Sequence, residues 1–171
     1  MRDVLWKSAT NDGFEHLRLA FADGRIVADG LIVRRNSVAT YRAHYIIECD
    51  ERWRVRNVNI GPLTLESDGE GHWTNEPELD GCIDIDLRAS PFTNTLAIER
   101  LQLQPDESRE ISVVFIDPGA LTFERMAQRY TRLGASRTYR YESVDSGFTA
   151  ELPVDEDGLL LEYPDFFVRV W

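Results

Sequence analysis

Six Asp-Gly dipeptides punctuate the chain, at 12–13, 23–24, 29–30, 68–69, 80–81 and 157–158. Between apolar alternations this dipeptide is the strongest short-range hairpin signal, because both central residues of a tight hairpin turn take positive φ. The runs between them have period two. Leu17, Leu19 and Phe21 share a face, as do Tyr41, Ala43, Tyr45 and Ile47, with Arg42, His44 and Glu48 opposite. Ile111, Val113 and Phe115 alternate, and so do Phe148, Ala150 and Leu152. Leu159, Leu161 and Tyr163 follow, then Phe166, Val168 and Val170. About a dozen closely spaced strands with no βαβ rhythm predict an all-β, mainly antiparallel barrel, sandwich or roll.

Two segments break the alternation. Ser90 and Pro91 suit the N-cap and first position of a short helix over about Thr95–Arg100. Residues 121–133 place Phe123, Met126, Ala127, Tyr130 and Leu133 at helical spacing, which predicts a helix; the surrounding rhythm leaves a long strand open.

The length of 171 residues fits one domain, 1–171, with no Ser/Gly-rich or Pro-rich linker. No apolar run approaches the ~20 residues that span a bilayer, and the N-terminal residues do not resemble a signal peptide, so a cytoplasmic protein without membrane insertion is expected. The net charge is −11, and the bases are Lys7 and eighteen arginines. Duplex binding and anionic membranes both need a basic face, so neither partner is expected. Residues 66–86 carry eight acids and no Lys or Arg, and residues 125–140 five arginines and no acid. These stretches either pair, within the fold or across a dimer, or form separately solvated faces. Cys49 and Cys82 are expected as reduced thiols, and no zinc or cofactor motif is present.

The most chemically suggestive run is Asp80-Gly-Cys82-Ile-Asp84-Ile-Asp86. As a strand it places Cys82, Asp84 and Asp86 on one face, where two carboxylates could hold a hard cation or pair with Arg52, Arg54 or Arg56. The acid-and-glycine loop leading into Trp73 reads as a hairpin turn. The aromatic residues suit an apolar cavity for an acyl chain or sugar face, or simply a large β core.

Several blocks together resemble one family. They are Trp53-Arg-Val-Arg56, Asp68-Gly-Glu-Gly-His-Trp73, and above all Gly81-Cys-Ile-Asp-Ile-Asp-Leu87 running into Ser90-Pro-Phe-Thr-Asn-Thr-Leu96. Gln128-Arg-Tyr-Thr-Arg-Leu133, Tyr139-Arg-Tyr-Glu142, Phe148-Thr-Ala-Glu-Leu152 and Tyr163-Pro164 continue the match. The chain resembles the putative glycolipid-binding family, a bacterial domain-of-unknown-function group, from about Trp6 to Arg169. The resemblance implies a many-stranded spiral β-roll curled around a single short helix near Pro91–Arg100, with 121–133 as strand, and a homodimer. It implies no established catalytic residues, and no metal or cofactor is expected.

The function expected is therefore binding of a glycolipid or other amphipathic ligand in an apolar cavity of a curved sheet, without catalysis. Phe92, Thr93, Asn94 and Thr95 are expected at a polar-aromatic rim, with Trp53, Trp73, Tyr139 and Tyr141 stacking on a sugar ring. Core packing and helix capping are the alternatives for these residues. The alternatives for the protein are an enzyme using Cys82, Asp84 and Asp86, and a dimeric interaction protein without a small ligand.

Overall fold

The computed structural model describes residues 1–35 and 39–171. Alternation becomes strand throughout. The strands are β1 (Arg2–Ser8), β2 (Gly13–Ala22), β3 (Arg25–Arg35), β4 (Thr40–Asp50), β5 (Val55–Ile60), β6 (Leu63–Glu66) and β7 (Asp84–Leu87), then, after helix α1 (Thr93–Leu101), β8 (Ser108–Asp117), β9 (Thr122–Arg132), β10 (Thr138–Ser143), β11 (Thr149–Pro153), β12 (Glu162–Tyr163) and β13 (Phe167–Arg169). They form an eight-stranded sheet, β12-β13-β1-β2-β3-β4-β5-β6, and a five-stranded sheet, β11-β10-β9-β8-β7. The fold is all-β with one α-helix among the described residues.

The Asp-Gly signal succeeds where both residues can sit at a hairpin tip. Asp23 and Gly24 join β2 to β3 with φ of 52° and 72°, the positive pair of a type I′ turn. Asp29-Gly30 lies instead inside β3, paired with Ile46 and Tyr45 of β4. Glycine is required there for space: the Tyr45 ring covers the position a side chain would occupy.

Every paired neighbour is antiparallel except β7 and β8, which run parallel and are connected through α1. This is one βαβ unit where the sequence showed no such rhythm. Helix α1 spans Thr93–Leu101, slightly longer than predicted. Ser90 is not its N-cap. Phe92 holds that position with helical φ and ψ and no side-chain capping bond, and the Ser90 hydroxyl is turned elsewhere. The segment 121–133 is strand β9, paired along one side with β8 and on the other with β10. Two flanking strands satisfy its backbone groups, and this outweighs the helical spacing of its apolar residues. Its deepest residues, Gln128 and Tyr130, follow period two.

At the C-terminus the expected buried set is reversed. Phe166, Val168 and Val170 are exposed, and Phe167 is the buried residue of β13. Phe21 also reaches solvent near the tip of β2, edge-on to Trp53.

The core has two apolar clusters. The larger gathers Trp6, Leu17, Tyr45, Trp73 and Phe92 against the eight-stranded sheet; the smaller gathers Tyr130, Leu152 and Leu160. Leu96 of α1 belongs to the first, and Ala97 and Ile98 to the second. The helix is thus wedged at the junction, and Thr93 through Ile98 are all buried.

Candidate functional site

A cavity of about 720 Å³ opens beside the N-terminus of α1. Its walls come from both sheets. Arg34 of β3, Tyr41 of β4 and Tyr163 of β12 come from the eight-stranded sheet, and Phe115 of β8, Met126 of β9 and Tyr141 of β10 from the five-stranded one. The floor is the end of β7 and the turn into α1, with Asp86, Ser90 and Asn94.

The wall is chemically divided. On one side Tyr141, Phe148, Tyr163 and Phe166 form a continuous aromatic cluster, with ring centroids 5.2–6.5 Å apart. Phe148 and Phe166 are 38% and 41% exposed, so this cluster reaches the rim. Burial pushes the Tyr141 and Tyr163 phenols well up, which keeps them neutral. The lining also holds a charged group, Arg34, Arg88, Asp12 and Asp117, gathered around the Tyr41 hydroxyl. Arg88 donates to Asp117 at 2.8 Å, and Arg34 lies 3.4 Å from Asp12 and 4.9 Å over the Phe167 ring. One end therefore suits apolar chain and the other hydroxyls or charge.

Of the eight residues expected to bind ligand, Asn94 and Tyr141 line this cavity. Asn94 is held in place by Tyr130, whose hydroxyl donates to Asn94 Oδ1 at 2.9 Å. Thr93 is just beneath the floor, accepting from the Leu87 amide and donating to Asp86. Thr95 donates to the Gly158 carbonyl. Phe92 is fully enclosed and stacks on Tyr45. Trp73 is a core residue whose indole N–H donates to the Cys82 carbonyl. Tyr139 packs in the smaller core, and Trp53 lies in the turn between β4 and β5.

The Cys82, Asp84 and Asp86 run is split by the fold. Strand β7 begins only at Asp84, and Cys82 lies buried before it with its thiol pushed up by burial. Asp84 takes a bidentate ion pair from Arg100 of α1, at 2.8 and 2.5 Å. Burial raises its carboxyl against that pairing. Asp86 alone reaches the cavity, accepting from Gln128 at 2.6 Å, and burial raises its carboxyl too. Arg54 and Arg56 pair with Asp50 rather than with this strand, because the β4–β5 turn brings Asp50 to them. Among the described residues the acidic and arginine-rich stretches are joined where Arg125 donates to the Asp80 carbonyl and Gln128 to Asp86, whereas Arg129 pairs outside the acidic stretch, with Glu110 and Glu142.

Glu15, from the middle of β2, belongs to none of the motifs that mark candidate sites in the sequence. It is fully buried and in phase with Leu17 and Leu19 on the core face. Tyr45 donates to its Oε1 at 2.5 Å and Ser90 at 2.7 Å, and the Phe92 amide faces it. Burial pushes the carboxyl up to about 7 against these donors. Glu15 thereby ties the start of α1, which has no cap of its own, to the eight-stranded sheet. A carboxylate in register with a core stripe was the signal that could have found it.

The chain is an all-β scaffold with one α-helix among the described residues, and residues of both sheets line one cavity with aromatic and charged side chains. The model of the family described as Putative glycolipid-binding matches residues 3–169, and the chain belongs to that family. It is similar to the crystal structure of a DUF1089 family protein from Pseudomonas aeruginosa, at 35% identity and TM-score 0.78, over 91% of this chain and 92% of that one. No curated protein matches it.

Proposed function

We propose that the protein binds a glycolipid or a ligand of the same amphipathic build in the 720 Å³ cavity. The observation that carries this reading is the division of one cavity wall into an aromatic cluster, Tyr141, Phe148, Tyr163 and Phe166, and a charged end, Arg34, Arg88, Asp12 and Asp117. The family membership supports it. The volume falls within the range of small-molecule sites, roughly 300–1,000 Å³. Each buried methylene contributes about 0.8 kcal/mol, so a chain of about ten supplies useful affinity after ordering costs. Arginine–carboxylate pairs at the far end offer donors and acceptors to sugar hydroxyls, and Asn94 lines the same cavity.

The same reading takes the protein as a cytoplasmic homodimer. Val168, Phe14 and Leu31, exposed on the outer face of the eight-stranded sheet, give a second copy apolar surface to cover.

Calorimetric titration with alkyl glycosides tests the binding. Affinity is expected to rise from octyl to dodecyl glucoside, with glucose alone giving no heat. Equal, negligible heats for all three would refute the reading.

A further inference from the structure

Ser90 stands at a strand–turn–helix corner. β7 ends at Leu87, Ala89 takes a φ of 70°, Ser90 follows, and α1 begins at Thr93 before the chain returns in β8, parallel to β7. A left-handed φ is strained for a residue with a β-carbon, and such strain gathers at functional turns. The sequence around Ser90 lacks the glycines of a G-x-S-x-G elbow. The order of elements is shared, a buried serine between a parallel strand and the N-terminus of the helix that follows it, with the left-handed residue, Ala89, one position earlier.

Three further features converge on the Ser90 hydroxyl. It lies 2.7 Å from Glu15 Oε1, within reach of a nucleophile–base pair. Glu15 is in turn fixed by the Tyr45 hydroxyl at 2.5 Å, so the base has an orienting partner. On its other side Ser90 borders the cavity.

We propose that Ser90 is the nucleophile and Glu15 the general base of an acyl-transfer site, which hydrolyses a carboxylic ester whose apolar acyl chain lies in the cavity. This rests on the binding reading above for the chain, and goes beyond it for the chemistry. Ser90 Oγ bonds to the ester carbonyl carbon while its proton passes to Glu15. The tetrahedral intermediate collapses, the C–O bond to the alcohol breaks, and the alcohol leaves with the proton from Glu15. Water then attacks the acyl-serine, giving one proton to Glu15, and Ser90 leaves with that proton as the free carboxylic acid is released. Burial of Glu15 suits it to the role, because a base works best when it titrates near the working pH.

The test treats the full-length protein with an alkyl fluorophosphonate, reads the adduct by intact mass and peptide mapping, and titrates dodecyl glucoside in parallel. A single adduct on Ser90, absent from Ser90→Ala, is expected. Glu15→Gln is expected to slow labelling by about 10²–10⁴-fold. The wild-type rate should rise with pH through a midpoint near 7; this profile needs no variant to fold. An unlabelled Ser90 in protein that binds dodecyl glucoside overturns the catalytic assignment and leaves binding standing. Labelling of Ser90 without glucoside binding overturns the binding reading and supports the catalytic pair. A rate independent of pH, or unchanged in a folded Glu15→Gln, overturns the role of Glu15.

Discussion

Gly30 of β3 lies directly beneath the ring of Tyr45, its partner on β4, so that a β-carbon at Gly30 would stand 2.0 Å from Tyr45 Cζ. The ring has little freedom to yield, because its hydroxyl is bonded to buried Glu15. Gly30→Ala is expected to destabilise the protein by at least the 1–3 kcal/mol typical of overpacking, read from urea unfolding. A change under about 0.5 kcal/mol, the scale of a surface substitution, would mean that the ring moves freely.

Asp84 and Arg100 form a charge pair in which the Asp84 side chain is only 1% exposed. Removing one charge strands the other. Asp84→Asn should cost about 3–5 kcal/mol, whereas the double change Asp84→Leu, Arg100→Met should recover most of it. Thermal unfolding of the single and double variants checks this; equal losses in both would show that the pair adds net stability.

Glu15 gives stability a pH dependence with a definite sign. Its folded pKa is raised, so its contribution is full below the unfolded value near 4.5 and declines as pH rises to about 7. The loss amounts to about 3 kcal/mol. Asp84, Asp86 and Glu99, also raised, act in the same direction. Asp50, Asp117 and Asp155, all lowered, act oppositely and lose their contribution as pH falls through the carboxylate range. Melting temperature should therefore fall between pH 5 and 8, and Glu15→Gln should flatten that slope. A wild-type melting temperature that climbs over the same range would contradict the assignment.

Phe148 and Phe166 meet edge to face at the rim, with centroids 5.6 Å apart. Both are partly exposed, so truncation to alanine should lower stability by less than a core deletion would, under about 2 kcal/mol. Affinity for dodecyl glucoside should drop at least tenfold in the double variant while the melting temperature moves little. Unchanged affinity would place the alkyl chain elsewhere.

The sequence carried the strands well because burial on one face writes period two directly into the residues. Leu17 with Leu19, and Ala43 with Tyr45 and Ile47, are buried as their alternation predicts. Asp23-Gly24 was legible as a turn since its conformation is local. The same dipeptide at 29–30 was not, because what demands glycine there is a tyrosine fifteen residues away. Strand β9 was ambiguous for a related reason: its partners lie outside the segment that spells a helix.

The cavity was legible only in fragments. Asn94 and Tyr141 stand in recognisable sequence blocks, but Arg34, Ser90 and Phe148 come together through tertiary pairings that spacing does not record. Size alone marks Trp53 and Trp73 in the sequence, and the structure uses one in a turn and the other in the core.

Native mass spectrometry of the protein, purified gently from the cells that produce it, tests the central claim most directly. A species carrying an extractable amphipathic molecule is expected, with that added mass lost in the Phe148→Ala, Phe166→Ala double variant. Protein that stays at its bare mass, both as isolated and after incubation with dodecyl glucoside, would contradict it.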